Sequence, residues 1–160
     1  MAGKEGAQED CLICRKHRGE YSVPGGAIFE DELVYAGHAQ IREGESQAYL
    51  GYLMVETRRH VPKLSDLTDA EAKSLGLLVA RLSRALSQSE GAEHVYAFAL
   101  GDGVPHVHMH VVPRYPGAPS EYWGVHVDEW PDAPHGGPEG MEALCGRLRT
   151  WLENKSRAAP

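Results

Sequence analysis

The chain has 160 residues, of which 42% are hydrophobic and 24% charged, so it holds enough apolar material for one folded domain and wholesale disorder is excluded. Sixteen basic against 23 acidic residues give a formal charge of -7, and the absence of a Lys and Arg cluster argues against a nucleic-acid binder. The sequence has no secretory signal and no apolar run long enough to span a bilayer, which predicts a cytoplasmic protein without membrane contact.

The predicted elements begin after residues 1–10, which are small and polar and are expected to be disordered. Residues 11–160 are expected to form a single domain. Short runs of aliphatic and aromatic residues predict strands, and the first run contains a Glu-Asp-Glu turn that is typical of a hairpin. These predicted strands cover residues 27–41, 48–56 and 94–100.

Two helices are predicted, one on each side of the later strands. Thr68 followed by Glu71 is a capping box, and leucines at steps of three and four predict an amphipathic helix over residues 69–89. A similar apolar spacing predicts a second helix at 139–154, after a long loop at 113–138. Mixed strands with two separated helices indicate an α+β fold.

Three histidines occur within five positions, at His106, His108 and His110. In an extended strand their rings point to one face, because successive side chains alternate between faces. His106 and His110 would then lie about 13 Å apart, whereas zinc–nitrogen bonds are about 2.0 to 2.1 Å. One shared metal is therefore disfavoured, and the three rings are expected to divide their roles. A neutral imidazole is a good nucleophile.

The cysteines fall into a pair and a single residue. Cys11 and Cys14 form a C-x-x-C pattern, which in a reducing compartment indicates a metal or redox site. His17 follows closely and could complete a partial metal knuckle with them. Cys145 stands alone and is expected in the core.

The run HVHMHVV at 106–112, continued by Pro113 and Arg114, resembles the signature of the histidine triad (HIT) superfamily of nucleotide hydrolases and transferases. CLIC at 11–14 and the segment 51–71 are similar to the zinc-bearing microbial members. The resemblance covers residues 11–114. It implies a HIT-like fold, with an antiparallel sheet of about five strands and two main helices, and a homodimer.

The same resemblance implies a mechanism and a structural zinc ion. His108 would attack the α-phosphorus of a small nucleotide and form a nucleotidyl-histidine intermediate, which water or another acceptor then cleaves. His110 would contact the phosphate. The family's metal positions match four residues of this chain, which are Cys11, Cys14, His60 and His106. Phosphoramidase, dinucleoside polyphosphate hydrolase and nucleotidyltransferase activities all fit this chemistry.

Two positions depart from the family pattern. The family's phosphate-binding Gly-Gln-Ser/Thr-Val stretch is replaced by Gly101, Asp102, Gly103 and Val104, and a family histidine is replaced by Tyr52. These residues are still expected at the substrate, together with a base pocket on the early strands and a tryptophan from the long loop. The residues expected there are Ile28, Phe29, Leu33, Tyr35 and Trp123.

Two other classes of function stay open at this point. A metallohydrolase would use some of these histidines to hold a catalytic zinc ion with an open coordination position. A nucleotide-binding or regulatory protein would keep the fold with weak or no catalysis, which the altered turn at 101–105 and Tyr52 support.

Overall fold

The computed structural model describes residues 8–157, and the predicted disorder of residues 1–10 falls mostly on residues outside this range. Seven strands occur in the described residues: β1 Ala27–Glu30, β2 Val34–His38, β3 Ala48–Tyr49, β4 Leu53–Thr57, β5 His94–Phe98, β6 His108–Arg114 and β7 His135–Gly136. Five of them form one antiparallel sheet in the order β1-β2-β4-β6-β5, and β3 pairs with β7 in a separate ribbon. The predicted α+β fold with a five-stranded antiparallel sheet is confirmed.

Within residues 11–157, three α-helices accompany the strands: α1 Leu12–His17, α2 Asp69–Glu90 and α3 Pro138–Arg157. The predicted capping box is present at α2, where the Glu71 amide donates to Thr68 Oγ1 and the Thr68 amide donates to the Glu71 carboxylate. Gly91 ends α2 at a φ of 76°, a left-handed conformation that glycine adopts without steric cost.

The helices α2 and α3 cover one face of the sheet. Alternate strand residues such as Val55 and Val111 pack beneath them in one core, which also buries the predicted core residue Cys145. The opposite sheet face carries the polar residues of β4 and β6, among them Glu56 and His108, which are opposite each other in the strand register. One face of the sheet therefore belongs to the hydrophobic core, and the other carries the polar side chains of β4 and β6.

The predicted continuous strand over residues 48–56 is wrong in its first half. Gly51 has a φ of 89° and the Tyr52 amide donates to the Tyr49 carbonyl, so a tight turn separates β3 from β4. A Cβ at Gly51 would lie 2.6 Å from the Tyr115 hydroxyl, which leaves no room for a larger residue. The turn directs β3 away from the main sheet, and β3 pairs with β7.

No helix within residues 8–157 is both long enough and apolar enough to cross a membrane.

Candidate active site and metal centre

The histidine strand begins two residues later than its sequence pattern predicts. β6 starts at His108, while His106 lies in a bend that its amide closes by donating to the Val104 carbonyl at 2.8 Å. This bend follows Pro105, whose ring cannot donate to a strand ladder. The His106 side chain is directed to the cysteines of α1, so only His108 and His110 belong to the strand proper.

The His108 ring is buried and held by the backbone. Its Nδ1 lies 2.6 Å from the carbonyl oxygen of His106, a distance at which the ring N–H donates to the carbonyl. The proton is thereby fixed on Nδ1, and Nε2 keeps its lone pair. The ring lines the main cavity, with 8% of the residue exposed. This arrangement orients the ring and makes Nε2 the nucleophilic nitrogen of its neutral form.

The His110 ring carries its proton on Nε2, whereas the His108 ring carries it on Nδ1. Tyr52 Oη lies 2.8 Å from His110 Nδ1, and burial, with a contribution from Asp128, raises the pKa of Tyr52 to about 12. The phenol is therefore protonated and donates to Nδ1. Burial, with a contribution from His108, lowers the pKa of His110 to about 4, so its ring is neutral with the proton on Nε2. The Phe98 ring stacks on it at 4.8 Å.

A compact group of metal-ligating side chains lies beside the triad. The ligand atoms of Cys11, Cys14, His60 and His106 all lie within 4.8 Å of one another. The sulfur–nitrogen distances are 3.4 Å from Cys14 to His60 and 3.5 Å from each cysteine to His106. Around a tetrahedral zinc ion, bonds of about 2.3 Å to sulfur and 2.0 to 2.1 Å to nitrogen give a separation of about 3.6 Å. The residues present fit this ion.

The surroundings of this group favour a metal over a redox pair. His106 Nε2 lies 2.7 Å from the Thr57 carbonyl, so the ring donates there and its Nδ1 faces the two sulfurs. Burial, with a contribution from Cys11, raises the pKa of Cys14 to about 12. The C-x-x-C pattern is better explained as a ligand pair because both sulfurs lie 3.5 Å from His106 Nδ1.

A cavity of about 340 Å³ opens above the two strand histidines. One end is formed by α1 and its neighbours, and Leu12 and Ile13 supply apolar surface to its wall. The other end is polar, and there Arg42 and Asp128 form an ion pair at 2.5 Å. A cavity of this size is typical of small-molecule sites.

A charged cluster lies at the α1 end of this cavity. Lys16 Nζ donates to Glu56 Oε1 at 2.6 Å, and His17 Nε2 lies 3.0 Å from Glu56 Oε2. Burial raises the pKa of Glu56, but the hydrogen bond from His17 and the charge of Lys16 outweigh this effect and hold the pKa below its usual value. The carboxylate is therefore ionised. His17 is occupied here, and it is His60 that lies with the two cysteines and His106.

The HIT domain family model matches residues 21–117 of the sequence. This chain belongs to the HIT domain family. A protein of Bacillus subtilis named "Protein hit" is 28% identical over 153 residues, which cover 90% of this chain and 95% of that protein. A bis(5'-adenosyl)-triphosphatase of Dictyostelium discoideum is 34% identical over 70 residues, covering 40% of this chain and 46% of that protein.

Solved structures of HIT proteins share the fold at low sequence identity. A zinc-bound histidine triad family protein from Mycobacterium smegmatis superposes with a TM-score of 0.69 at 20% identity, covering 95% of this chain and 99% of that one. A Hit-like protein from Bartonella henselae gives a TM-score of 0.66 at 18% identity, covering 90% and 98%. The arrangement of sheet and helices is thus that of the HIT fold.

Four of the residues expected at the substrate line the cavity of this HIT domain, namely Tyr52, Val104, His108 and His110. The others do not. The turn from Gly101 to Gly103 is exposed and lies outside the cavity wall. Trp123 is half exposed, stacks on the Arg114 guanidinium at 3.8 Å and donates to the Ala118 carbonyl.

The expected base pocket on the early strands is likewise absent from the cavity wall. Ile28 is buried in the core, and Phe29 and Leu33 pack against that core. Tyr35 lies beneath Lys16 and His17 instead of facing the opening. In β2 the register places Val34 and Ala36 in the core, while Tyr35 is opposite Glu56 and shares its sheet face.

Several cavity residues carry no sequence signal of their own. Lys16 follows the cysteine pair by two positions, and Arg42 and Asp128 come from segments without periodicity. His38 is buried; it donates from Nδ1 to the Ala39 carbonyl and accepts from the Gly51 amide, and burial lowers its pKa. Only the expected metal group, which brings Cys14 to His106, could have indicated that Lys16 lies near the histidines.

Proposed function

We propose that this HIT-family protein is a nucleotide hydrolase or nucleotidyltransferase that acts at an α-phosphate through a covalent intermediate on His108. The observation that carries the proposal is the 2.6 Å contact between His108 Nδ1 and the His106 carbonyl. It places the ring N–H on Nδ1, so in the neutral ring Nε2 carries the lone pair that attacks phosphorus.

The proposed reaction has two displacements at phosphorus. In the first, Nε2 of His108 forms a bond to the α-phosphorus, and the bond to the leaving group breaks with its electron pair going to that group. In the second, water or another acceptor attacks phosphorus and releases a proton to the solvent, the nitrogen–phosphorus bond breaks, and its electron pair returns to Nε2. The Nδ1 proton stays on the ring and donates to the His106 carbonyl, which stabilises the positive charge of the substituted imidazole.

His110 supports both steps as a neutral donor. Its Nε2–H is available because Tyr52 already donates to Nδ1 at 2.8 Å. A positioned donor within a buried site stabilises the charge that develops on phosphoryl oxygens. The neutral state of His110 is consistent with the lowering of its pKa to about 4.

Mass spectrometry of a single turnover tests the covalent step. The protein is mixed with a nucleoside phosphoramidate or a dinucleoside polyphosphate, quenched and digested, and a gain of one nucleotidyl group is expected on His108. His108→Ala should lose the adduct and the turnover, while nucleotide binding survives. A fast turnover in His108→Ala would overturn the mechanism. Binding without an adduct in the wild-type protein would favour the regulatory alternative.

We also propose a structural zinc ion held by Cys11, Cys14, His60 and His106. Four protein ligands close the tetrahedral shell, whereas catalytic zinc sites keep one position open for water or substrate. When bound, the ion would join α1 to the bend before β6 and to the segment after β4. This donor set is the argument against the metallohydrolase alternative.

Metal analysis of the purified protein tests this assignment. One zinc ion per chain is expected, and Cys14→Ser should lose it. The matched control is Cys145→Ser, which changes a cysteine in the core far from the ligands in sequence and should keep the metal. Zinc retained in Cys14→Ser would refute the assignment. The homodimer and the cytoplasmic location stay predictions.

A further inference from the structure

The ion pair between Lys16 and Glu56 is deeply buried, although burying an ion pair is weak as a source of stability. The side chain of Lys16 is 10% exposed and that of Glu56 is 2% exposed. Removing such charges from water costs several kcal/mol per ion, and an apolar pair of similar volume is often as stable. Both residues line the cavity, and the mechanism proposed for His108 uses neither of them. The burial of this pair in the cavity wall therefore points to a role in ligand binding.

The position of the pair identifies the part of a nucleotide that would reach it. Glu56 is opposite His108 in the register of β4 and β6, so Lys16 lies one strand away from the nucleophile. Leu12, Ile13 and Val104 give the adjoining cavity wall an apolar surface against which a base could pack. A planar, weakly polar base fits this end better than the polar end at Arg42.

The chemistry that Lys16 presents is that of a donor. An ammonium group has three N–H donors and no acceptor, and one of its donors is used on Glu56. The carboxylate already binds Lys16 and His17 and is almost fully covered, so it is a poor acceptor for a ligand amino group. A ligand atom that meets this end of the cavity must therefore accept a hydrogen bond.

We infer that Lys16 selects nucleotides whose base carries an exocyclic carbonyl at the edge facing α1, such as a 6-oxopurine, over adenine. A carbonyl oxygen accepts from the ammonium, whereas the amino group of adenine would meet it donor to donor. Lysine contacts to base carbonyls discriminate in the same way in nucleic-acid recognition. The inference rests on the proposed function only in placing the α-phosphorus at His108.

Equilibrium binding of two monophosphates tests the inference without turnover. Inosine monophosphate and adenosine monophosphate differ at the exocyclic position and the adjoining ring nitrogen, and calorimetry gives both affinities. Inosine monophosphate should bind about tenfold more tightly or better, the range expected for one well-placed polar contact to a base. Equal affinities, a preference for adenosine monophosphate, or no binding of either would overturn it.

Variants at Lys16 assign the preference to this side chain. Lys16→Met should bring the two affinities together, and Lys16→Arg should keep the preference because the guanidinium is also a donor. If Lys16→Met is unstable because Glu56 loses its ammonium partner, the double variant Lys16→Met with Glu56→Gln removes both charges. The control is Arg15→Met. Arg15 is the neighbour of Lys16 in α1, and its exposed guanidinium pairs with Glu20, so its loss should change neither affinity. A preference that survives in Lys16→Met refutes the assignment.

The two proposals can fail separately. A carbonyl preference in binding without a nucleotidyl adduct on His108 would leave the inference standing and refute the covalent mechanism. If adenosine and inosine substrates bind with equal affinity and form the adduct at the same rate, the mechanism is supported and the role of Lys16 is refuted.

Discussion

Tyr52→Phe should slow the proposed reaction without changing the fold. The substitution keeps the ring and removes the hydroxyl that lies 2.8 Å from His110 Nδ1. Nδ1 is then a buried acceptor without its donor, and the ring can place its proton on either nitrogen. When the proton is on Nδ1, the Nε2–H that contacts the phosphate is lost.

The expected size of the effect follows from the lost hydrogen bond. Leaving one buried polar group unsatisfied costs about 1 to 3 kcal/mol. If that cost falls on the transition state, kcat/KM drops roughly 5- to 150-fold, since about 1.4 kcal/mol corresponds to a factor of ten. The loss should be mainly in kcat, because the contact strengthens as charge develops on the phosphoryl oxygens.

Steady-state kinetics with one nucleoside phosphoramidate measures the effect. The matched control is Tyr115→Phe, which removes a hydroxyl that donates to the Leu50 carbonyl at 2.9 Å and lies outside the cavity. This control should lose about 1 kcal/mol of stability and keep its kcat. Wild-type kinetics in Tyr52→Phe, with turnover still dependent on His108, would refute the orienting role of Tyr52.

Three further outcomes are expected. Chelation of zinc should lower the unfolding temperature by roughly 8 to 16 °C, since free metal at a thousand times Kd contributes about 4 kcal/mol; an unchanged midpoint would contradict a structural ion. The unfolded His110 ring, with its ordinary pKa of 6.5, binds a proton more tightly than the folded ring, whose pKa is about 4. The stability contributed by the neutral ring should therefore be fully present above pH 6.5 and be lost as the pH falls toward 4. Urea unfolding across this range should show a smaller pH slope in His110→Asn than in the wild type, and equal slopes would refute the shift. Thr68→Ala should cost about 1 kcal/mol through loss of the helix cap, whereas Thr150→Ala, on an exposed helix position, should cost nothing; equal unfolding midpoints in the two variants would contradict the role of the cap.

The fold and the metal group were predictable because their signals are local or strongly patterned. The capping box and leucine spacing of α2 act within one helix, and short apolar runs predicted strands, whereas the five-stranded antiparallel sheet came from the family resemblance. The four residues that the family resemblance assigned to zinc lie together in the structure, although Cys11 and His106 are 95 positions apart. Here the resemblance supplied the long-range information that spacing alone lacks.

The cavity wall was poorly predictable because it depends on register and on chain segments without pattern. A shift of one residue in a strand exchanges its two faces, and Ile28 and Leu33 prove to belong to the core side. Asp128 reaches the cavity from a segment that has only short 3-10 turns, and it is fixed there by Arg42 across 86 positions. Such tertiary pairings leave no trace in local periodicity.

His106 links the metal group to the nucleophile through a single residue. Its side chain lies with the two cysteines, and its carbonyl oxygen holds His108 Nδ1. A structural ion would therefore influence the rate by fixing this carbonyl and not by contacting the substrate. Replacing zinc with cadmium, which also binds thiolate and imidazole ligands, should restore both stability and kcat to the metal-free protein. A cadmium protein that regains its unfolding temperature but not its kcat would show that the ion takes part in the chemistry.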